Sequence, residues 1–203
     1  MVMRITRMER QKKRAPLYHL YSGDVFLFEI TEDTLVHFNI SVGRDYSDQQ
    51  LQEIQDYDRF TRCTHQAFRF LSRRAHLERE LRQKLRRKQY GEPEISRTMD
   101  FLRLKGYLDD RAVISKFIHD EINLKRTGPL RIKAKLLQKG AARETVEEIL
   151  EREYPEQVIL NNAQTLAERK MQGAAPISTQ KLAAFLQNKG FPWEVIERTL
   201  AGL

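Results

Sequence analysis

Residues 128–140 read GPLRIKAKLLQKG. Pro129 suits the first position of a helix, because the amide proton that proline lacks would be unpaired there anyway. Ile132 and Leu136 mark one apolar face, and Gly140 is a typical helix stop. The same face is written twice more. Leu81, Leu85, Lys88, Ile95 and Met99 recur as Ile132, Leu136, Lys139, Val146 and Leu150, then as Leu182, Leu186, Lys189, Ile196 and Leu200. The offsets are 51 and then 50 residues. A period that regular predicts a tandem array of small helical units, each too small to bury its apolar face alone. An array reads a partner along its length, which favours binding over chemistry.

The chain is therefore expected to be mainly α, with three three-helix units over 47–106, 107–153 and 154–203. In the first unit, Ser47 caps a short lead-in helix, Asp48 to Tyr57. A helical period then runs through Phe60, Cys63, Ala67, Phe68 and Leu71. Leu77, Leu81 and Leu85 define a second helix, and Ile95, Met99 and Leu102 a third, which stops at Gly106. Asp110 is the expected cap of the next helix, carrying Val113, Ile114, Phe117, Ile118 and Ile122. Val146, Ile149 and Leu150 make the last helix of unit two. Unit three carries Val158 to Ala167, a connection over 170–176, a cap at Ser178, a stop at Gly190 and a final helix around Val195 and Ile196.

Residues 1–46 differ. Leu17–Tyr21, Val25–Ile30 and Leu35–Ile40 are rich in β-branched and aromatic residues, with Ser22-Gly23-Asp24 and Glu32-Asp33 as turns. They predict a small antiparallel β-sheet of three strands, or four if Ile5 to Met8 joins it.

The chain has 203 residues, 36 Lys plus Arg against 28 Asp plus Glu, and a net charge of +8. That balance favours nucleic acid, a nucleoprotein or another acidic surface as partner. One cysteine, Cys63, excludes an internal disulfide framework and is read as a small core residue. No apolar run approaches the length of a membrane span. The first fourteen residues are basic and lack the apolar segment of a signal peptide, so a cytoplasmic location is expected.

The residues of chemistry are scattered. Asp109-Asp110 reads as a helix cap, and Glu147-Glu148 lies in mid-helix on different faces. His19, His37, His65, His76 and His119 show no metal-ligand spacing, and neither a phosphate-cradling glycine loop nor a nucleophile elbow occurs. No catalytic residue, metal or cofactor is assigned. Tyr90, Tyr107 and Trp193 sit beside repeat positions and are read as core rather than as base-stacking residues.

The basic residues are concentrated. Arg73, Arg74, Arg79, Arg82, Arg86 and Arg87 crowd the first unit, with Arg79, Arg82 and Arg86 on one helical face. Lys125, Arg126, Arg131 and Lys135 fall at the equivalent place in the second. These ten are the expected contact surface. Contact with phosphates would give affinity without base specificity and a steep salt dependence.

Several strings add a resemblance. Glu80-Leu81-Arg82-Gln83-Lys84-Leu85, Leu104-Lys105-Gly106-Tyr107-Leu108-Asp109-Asp110, Gly128-Pro129-Leu130-Arg131-Ile132 and Leu136-Leu137-Gln138-Lys139-Gly140 resemble the RecX family, in the form with an amino-terminal extension. The resemblance covers about 59–203. Leu77 stands where a serine-type cap is common, so that helix start is expected to be loose. The resemblance implies a monomeric regulator of the RecA recombinase in DNA repair and the SOS response. Such proteins bind the RecA–DNA filament and limit its extension, ATP turnover, strand exchange and co-protease activity, and several also bind single- or double-stranded DNA. The alternative is a nucleic-acid-binding protein without sequence preference that acts independently of RecA.

Overall fold

A computed structural model describes residues 2–11, 16–172 and 177–203. The described residues fall into two compact units, one of residues 1–75 and 81–107, the other of 76–80 and 108–203.

In the first unit, β1 (Val2–Arg4) pairs with β5 (Asp45–Ser47), and β2 (Arg7–Gln11), β3 (Leu17–Ser22) and β4 (Val25–Thr31) form an antiparallel sheet in the order β2-β3-β4. Leu20 and Ile30 lie on its inner face. They meet Ile5, Ile40, Tyr46, Leu51 and Ile54 in one core, the last two from α2 (Asp48–Leu71).

Two expectations fail here. Leu35–Ile40 is not a strand: α1 (Glu32–His37) begins after Thr31, whose side chain accepts from the Thr34 amide. Glu32 and Asp33, read as a turn, are the acidic first turn that a helix N-terminus favours. Nor is the lead-in helix separate. No glycine or proline interrupts residues 48–71, so the capping box of Ser47 and Gln50 starts one helix of 24 residues. Asp58, where a break was expected, is instead a buried acceptor.

That carboxylate ties α2 to the sheet. Its Oδ1 accepts from the Thr31 amide at 2.7 Å and from the Thr31 and Thr34 hydroxyls at 2.9 Å each. Its Oδ2 takes the Arg62 Nε at 2.5 Å. Arg62 continues to the Glu29 carboxylate at 3.0 Å and the Glu29 carbonyl at 3.1 Å. Edge strand β4 thus has two of its backbone groups occupied by α2 side chains, one of the ways an open strand edge is blunted.

The three predicted trios are present. The first is α2, α3 (Glu78–Arg86) and α4 (Glu92–Leu104). The second is α5 (Asp110–Asn123), α6 (Pro129–Gln138) and α7 (Arg143–Glu153). The third is α8 (Glu156–Met171), α9 (Thr179–Lys189) and α10 (Trp193–Ala201). Every apolar letter of the repeat except Leu200 is buried, and Leu200 packs partly buried in its core. Ile114, Ile118, Ile132, Leu136, Val146 and Ile149 form the second trio's core, and Leu182, Leu186, Val195 and Ile196 the third's. Ile159 packs against both.

The caps depart from expectation in an instructive way. Asp109, not Asp110, caps α5, its side chain accepting from Ala112. Asp110 reaches instead to the start of α3 and accepts from the Glu78 amide at 2.8 Å. Leu77, which cannot cap, is 1% exposed and packs in the second trio's core. The α3 start is capped from 32 positions further along the chain rather than left loose.

The second and third trios meet through backbone. The Gly128 amide donates to the Lys189 carbonyl at 2.9 Å and the Leu130 amide to the Gly190 carbonyl at 3.1 Å, so the start of α6 sits on the end of α9. A Cβ on Gly128 would strike the Gly190 carbonyl, and one on Gly190 would lie 2.6 Å from the Arg131 amide nitrogen. Gly190 also has φ +90°, as Gly140 has φ +92° with its Cβ direction filled by the Arg79 stem. The corresponding residue of the first trio, by the same 51-residue offset, is Gln89 at φ +65°.

Candidate partner-binding surface

The ten predicted contact residues divide by what their side chains already hold. Arg73 and Arg87 are exposed on the connections after α2 and α3. Arg74, also exposed, donates to the Ala75 carbonyl at 3.0 Å. Arg79 lends its stem to the contact with Gly140. Arg86 grips Glu92 at 2.5 and 3.0 Å, and those hydrogen bonds hold the Glu92 carboxyl below its usual range, with Arg82 adding to the effect.

Lys125 and Lys135 come together on one buried carboxylate. Both donate to Glu121, at 2.7 and 2.6 Å, and the Thr127 hydroxyl joins them at 2.7 Å. Glu121 is 1% exposed. Burial alone would raise its carboxyl, but the hydrogen bonds from Lys125, Lys135 and Thr127 outweigh burial and hold it at about 2. Two of the ten cations therefore serve a buried carboxylate. The sequence carried a signal of this. Ile114, Ile118, Glu121 and Ile122 share one helical face, and a carboxylate on an apolar face requires cations nearby.

Arg126 and Arg131 flank the same loop and have no carboxylate partner among the described residues. Arg126 holds a left-handed backbone, φ +49°, and Arg131 donates to the Asn188 carbonyl at 2.6 Å. Two further cations went unpredicted. The Lys170 and Lys189 ammonium groups lie 5.5 and 5.6 Å from the centre of the Phe185 ring.

Two aromatic residues expected in the core lie outside it. Trp193 is 54% exposed because the first position of α10 turns its ring outward, where the indole N–H donates to Glu197 at 2.7 Å. Tyr107, 55% exposed, follows the Gly106 stop and stands edge-on to Phe68. Tyr90 is half-buried and donates to the Arg62 carbonyl. Leu124 and Leu130 are 74% and 56% exposed, which the repeat pattern did not signal.

The chemistry-bearing residues stay dispersed. Cys63 is fully buried, and burial pushes its thiol up. Four histidines pair with separate carboxylates, His19 with Glu29, His65 with Asp33, His76 with Glu80 and His119 with Glu153. His37 stacks on Tyr57 at 4.0 Å. Glu147 and Glu148 face Lys133 and Arg111, which hold both carboxyls below their usual range. Among the described residues no three His, Cys, Asp or Glu side chains converge as a metal site would need. In the first unit, an open cleft of about 590 Å³ runs along β4 and α2, past Phe26, Phe28, Arg59 and Arg62. No helix among the described residues is long and apolar enough to cross a membrane.

Comparison with known proteins places this arrangement. The family models described as the first, second and third three-helix domains of RecX match residues 63–102, 109–150 and 156–200. A protein named "Regulatory protein RecX" from Streptococcus gordonii is 34% identical over 193 residues, covering 94% of this chain and 73% of that protein. One of the same name from Clostridioides difficile is 28% identical over 200 residues, covering 97% and 93%. A solved structure described as regulatory protein RecX superposes with TM-score 0.71 at 25% identity, covering 96% of this chain and 97% of that one. RecX from Lactobacillus salivarius shares the fold at TM-score 0.66 and 24% identity, over 72% of this chain and 97% of that one. Three matched three-helix domains and a relative at 34% identity over nearly the whole chain lead to one conclusion: this chain belongs to the RecX family.

Proposed function

We propose that the chain regulates the RecA recombinase by binding the RecA–DNA filament and restraining its extension, and with it ATP turnover, strand exchange and co-protease activity. It acts in the cytoplasm as a monomer, in DNA repair and the SOS response. Its relatives carry the name of regulatory proteins, and the reading extends that name to this chain. The observation that carries it is the set of cations with no internal carboxylate. Arg73, Arg79, Arg87, Arg126 and Arg131 have none among the described residues, whereas Arg86, Lys125 and Lys135 do. Cations kept free of internal carboxylates suit a partly anionic nucleoprotein surface. The three units, 47–106, 107–153 and 154–203, would each contribute modest contacts that sum through effective concentration, with the sheet of 1–46 packed on α2 of the first.

The test is RecA ATP hydrolysis on single-stranded DNA with increasing amounts of the chain. Slowing at sub-stoichiometric ratios is expected, and no effect at equimolar protein would refute the reading.

A further inference from the structure

The loop between α5 and α6 is held far more firmly than a surface loop needs. The Thr127 amide donates to the Glu121 carbonyl at 3.0 Å, and the Thr127 hydroxyl to the Glu121 carboxylate at 2.7 Å. The Tyr154 hydroxyl donates to the Thr127 carbonyl at 3.1 Å, and Asn162 braces Tyr154 at 3.1 Å. The next residues are fixed to α9, through the Gly128 and Leu130 amides and the Arg131 guanidinium. Within this fixed segment Arg126 adopts φ +49°, a conformation that a non-glycine residue takes only when its surroundings impose it.

What the segment presents is equally specific. Leu124 and Leu130 stand at its two ends, 74% and 56% exposed. Single exposed leucines are ordinary. Two leucines on one hydrogen-bonded segment, the second in the first turn of α6, interleaved with Arg126 and Arg131, are not. Lys189, whose carbonyl receives the Gly128 amide, adds a third cation. None of these three cations pairs with a carboxylate among the described residues.

Phosphates are satisfied by cations and amides and give leucine nothing to bury against. Protein interfaces, in contrast, combine a desolvated apolar centre with arginine, and they gain affinity when one side is ordered beforehand. We propose that the 124–131 segment, the α5–α6 loop and the first turn of α6, forms with Lys189 a docking surface for an acidic protein segment. Apolar side chains of that segment cover Leu124 and Leu130, and its carboxylates meet Arg126, Arg131 and Lys189. The inference rests on the regulatory reading above and deepens it, because this surface grips the recombinase protein and not its DNA.

The experiment uses the full chain with Leu124→Ser and Leu130→Ser together, and separately Arg126→Glu. Both are surface changes, and an unchanged thermal melt checks their folding. Two readouts run side by side with the unsubstituted chain. One is the concentration that half-inhibits RecA ATP hydrolysis on single-stranded DNA. The other is the affinity of the chain alone for a labelled oligothymidylate at low salt. The double leucine variant should raise the half-inhibiting concentration about tenfold and leave the oligonucleotide affinity unchanged, with Arg126→Glu raising it in the same direction. A parallel loss in both readouts makes the loop a nucleic-acid surface and overturns the proposal. Unchanged inhibition by both variants also overturns it and leaves the regulatory reading standing. If the unsubstituted chain has no effect on RecA, both fall.

Discussion

Glu121→Gln removes one negative charge from the second unit and little volume. The carboxylate is 1% exposed and takes three donors within 2.7 Å. It titrates at about 2 rather than at its ordinary 4.5, which corresponds to about 3 kcal/mol at neutral pH. Lys125 is largely exposed, 61%, and water screens its share, so about 2–3 kcal/mol is the expected cost of the substitution. The sign follows from a carboxyl whose pKa is lowered by folding. Its contribution is complete above about pH 5 and disappears as the pH falls toward 2, leaving about 1 kcal/mol at pH 3. Trp193 is the single tryptophan and belongs to the same unit as Glu121, so its fluorescence follows that unit through urea denaturation. The expected result is a gap of about 2–3 kcal/mol between the two proteins at pH 7 that shrinks to about 1 kcal/mol or less at pH 3. A gap that is the same at both pH values, or no gap at pH 7, would refute the account of Lys125 and Lys135 as internal partners.

Other outcomes are checked by the same denaturation measurements. Gly128→Ala and Gly190→Ala each drive a methyl into backbone of the opposing helix end and should cost at least about 2 kcal/mol. Gly140→Ala should cost less than Gly190→Ala, because both share a left-handed backbone but the methyl at 140 meets the Arg79 side chain rather than backbone. Gln89→Gly, which relieves a left-handed backbone at φ +65° in the unit that lacks Trp193, should be neutral or stabilising by up to about 1 kcal/mol in denaturation followed by helical circular dichroism. Asp110→Ala strips the α3 start of its acceptor and should cost about 1 kcal/mol, recovered in part by Asp110→Asn.

The repeat made most of the fold legible, because apolar spacing answers directly to which face of a helix is buried. The buried letters, the glycine stops at 106, 140 and 190, and the caps at Ser47 and Ser178 are where the pattern puts them. What escaped depends on partners distant in sequence. Leu35 to Ile40 has strand-like composition, yet Thr31 starts a helix there, and its hydroxyl is held in turn by Asp58 from 27 positions away. The cap on α3 comes from Asp110, so no local reading of Leu77 finds it. The basic letters were legible as charge but not as partners. A string of cations shows an excess and not which members are already spent, and only the fold reveals that Glu121 claims two of them. Exposed Leu124, Leu130 and Trp193 interrupt no period, which is why a search for periods passes over them.

The joint between the second and third trios is made by absent side chains, at Gly128 and Gly190. The counterparts of Gly190 in the first trio, Gln89, and of Gly128 in the third, Ser178, each carry a side chain. Gln89 carries a full side chain at the place where Gly140 and Gly190 have none. Ser178 satisfies the start of α9 with its own hydroxyl, whereas Gly128 leaves that task to a neighbouring helix. The units are therefore not interchangeable bricks. A middle unit moved to either end would carry a bare glycine with nothing to meet it, and an end unit moved inward would bring a clash. Each of the three copies has its place in the series written into one or two residues.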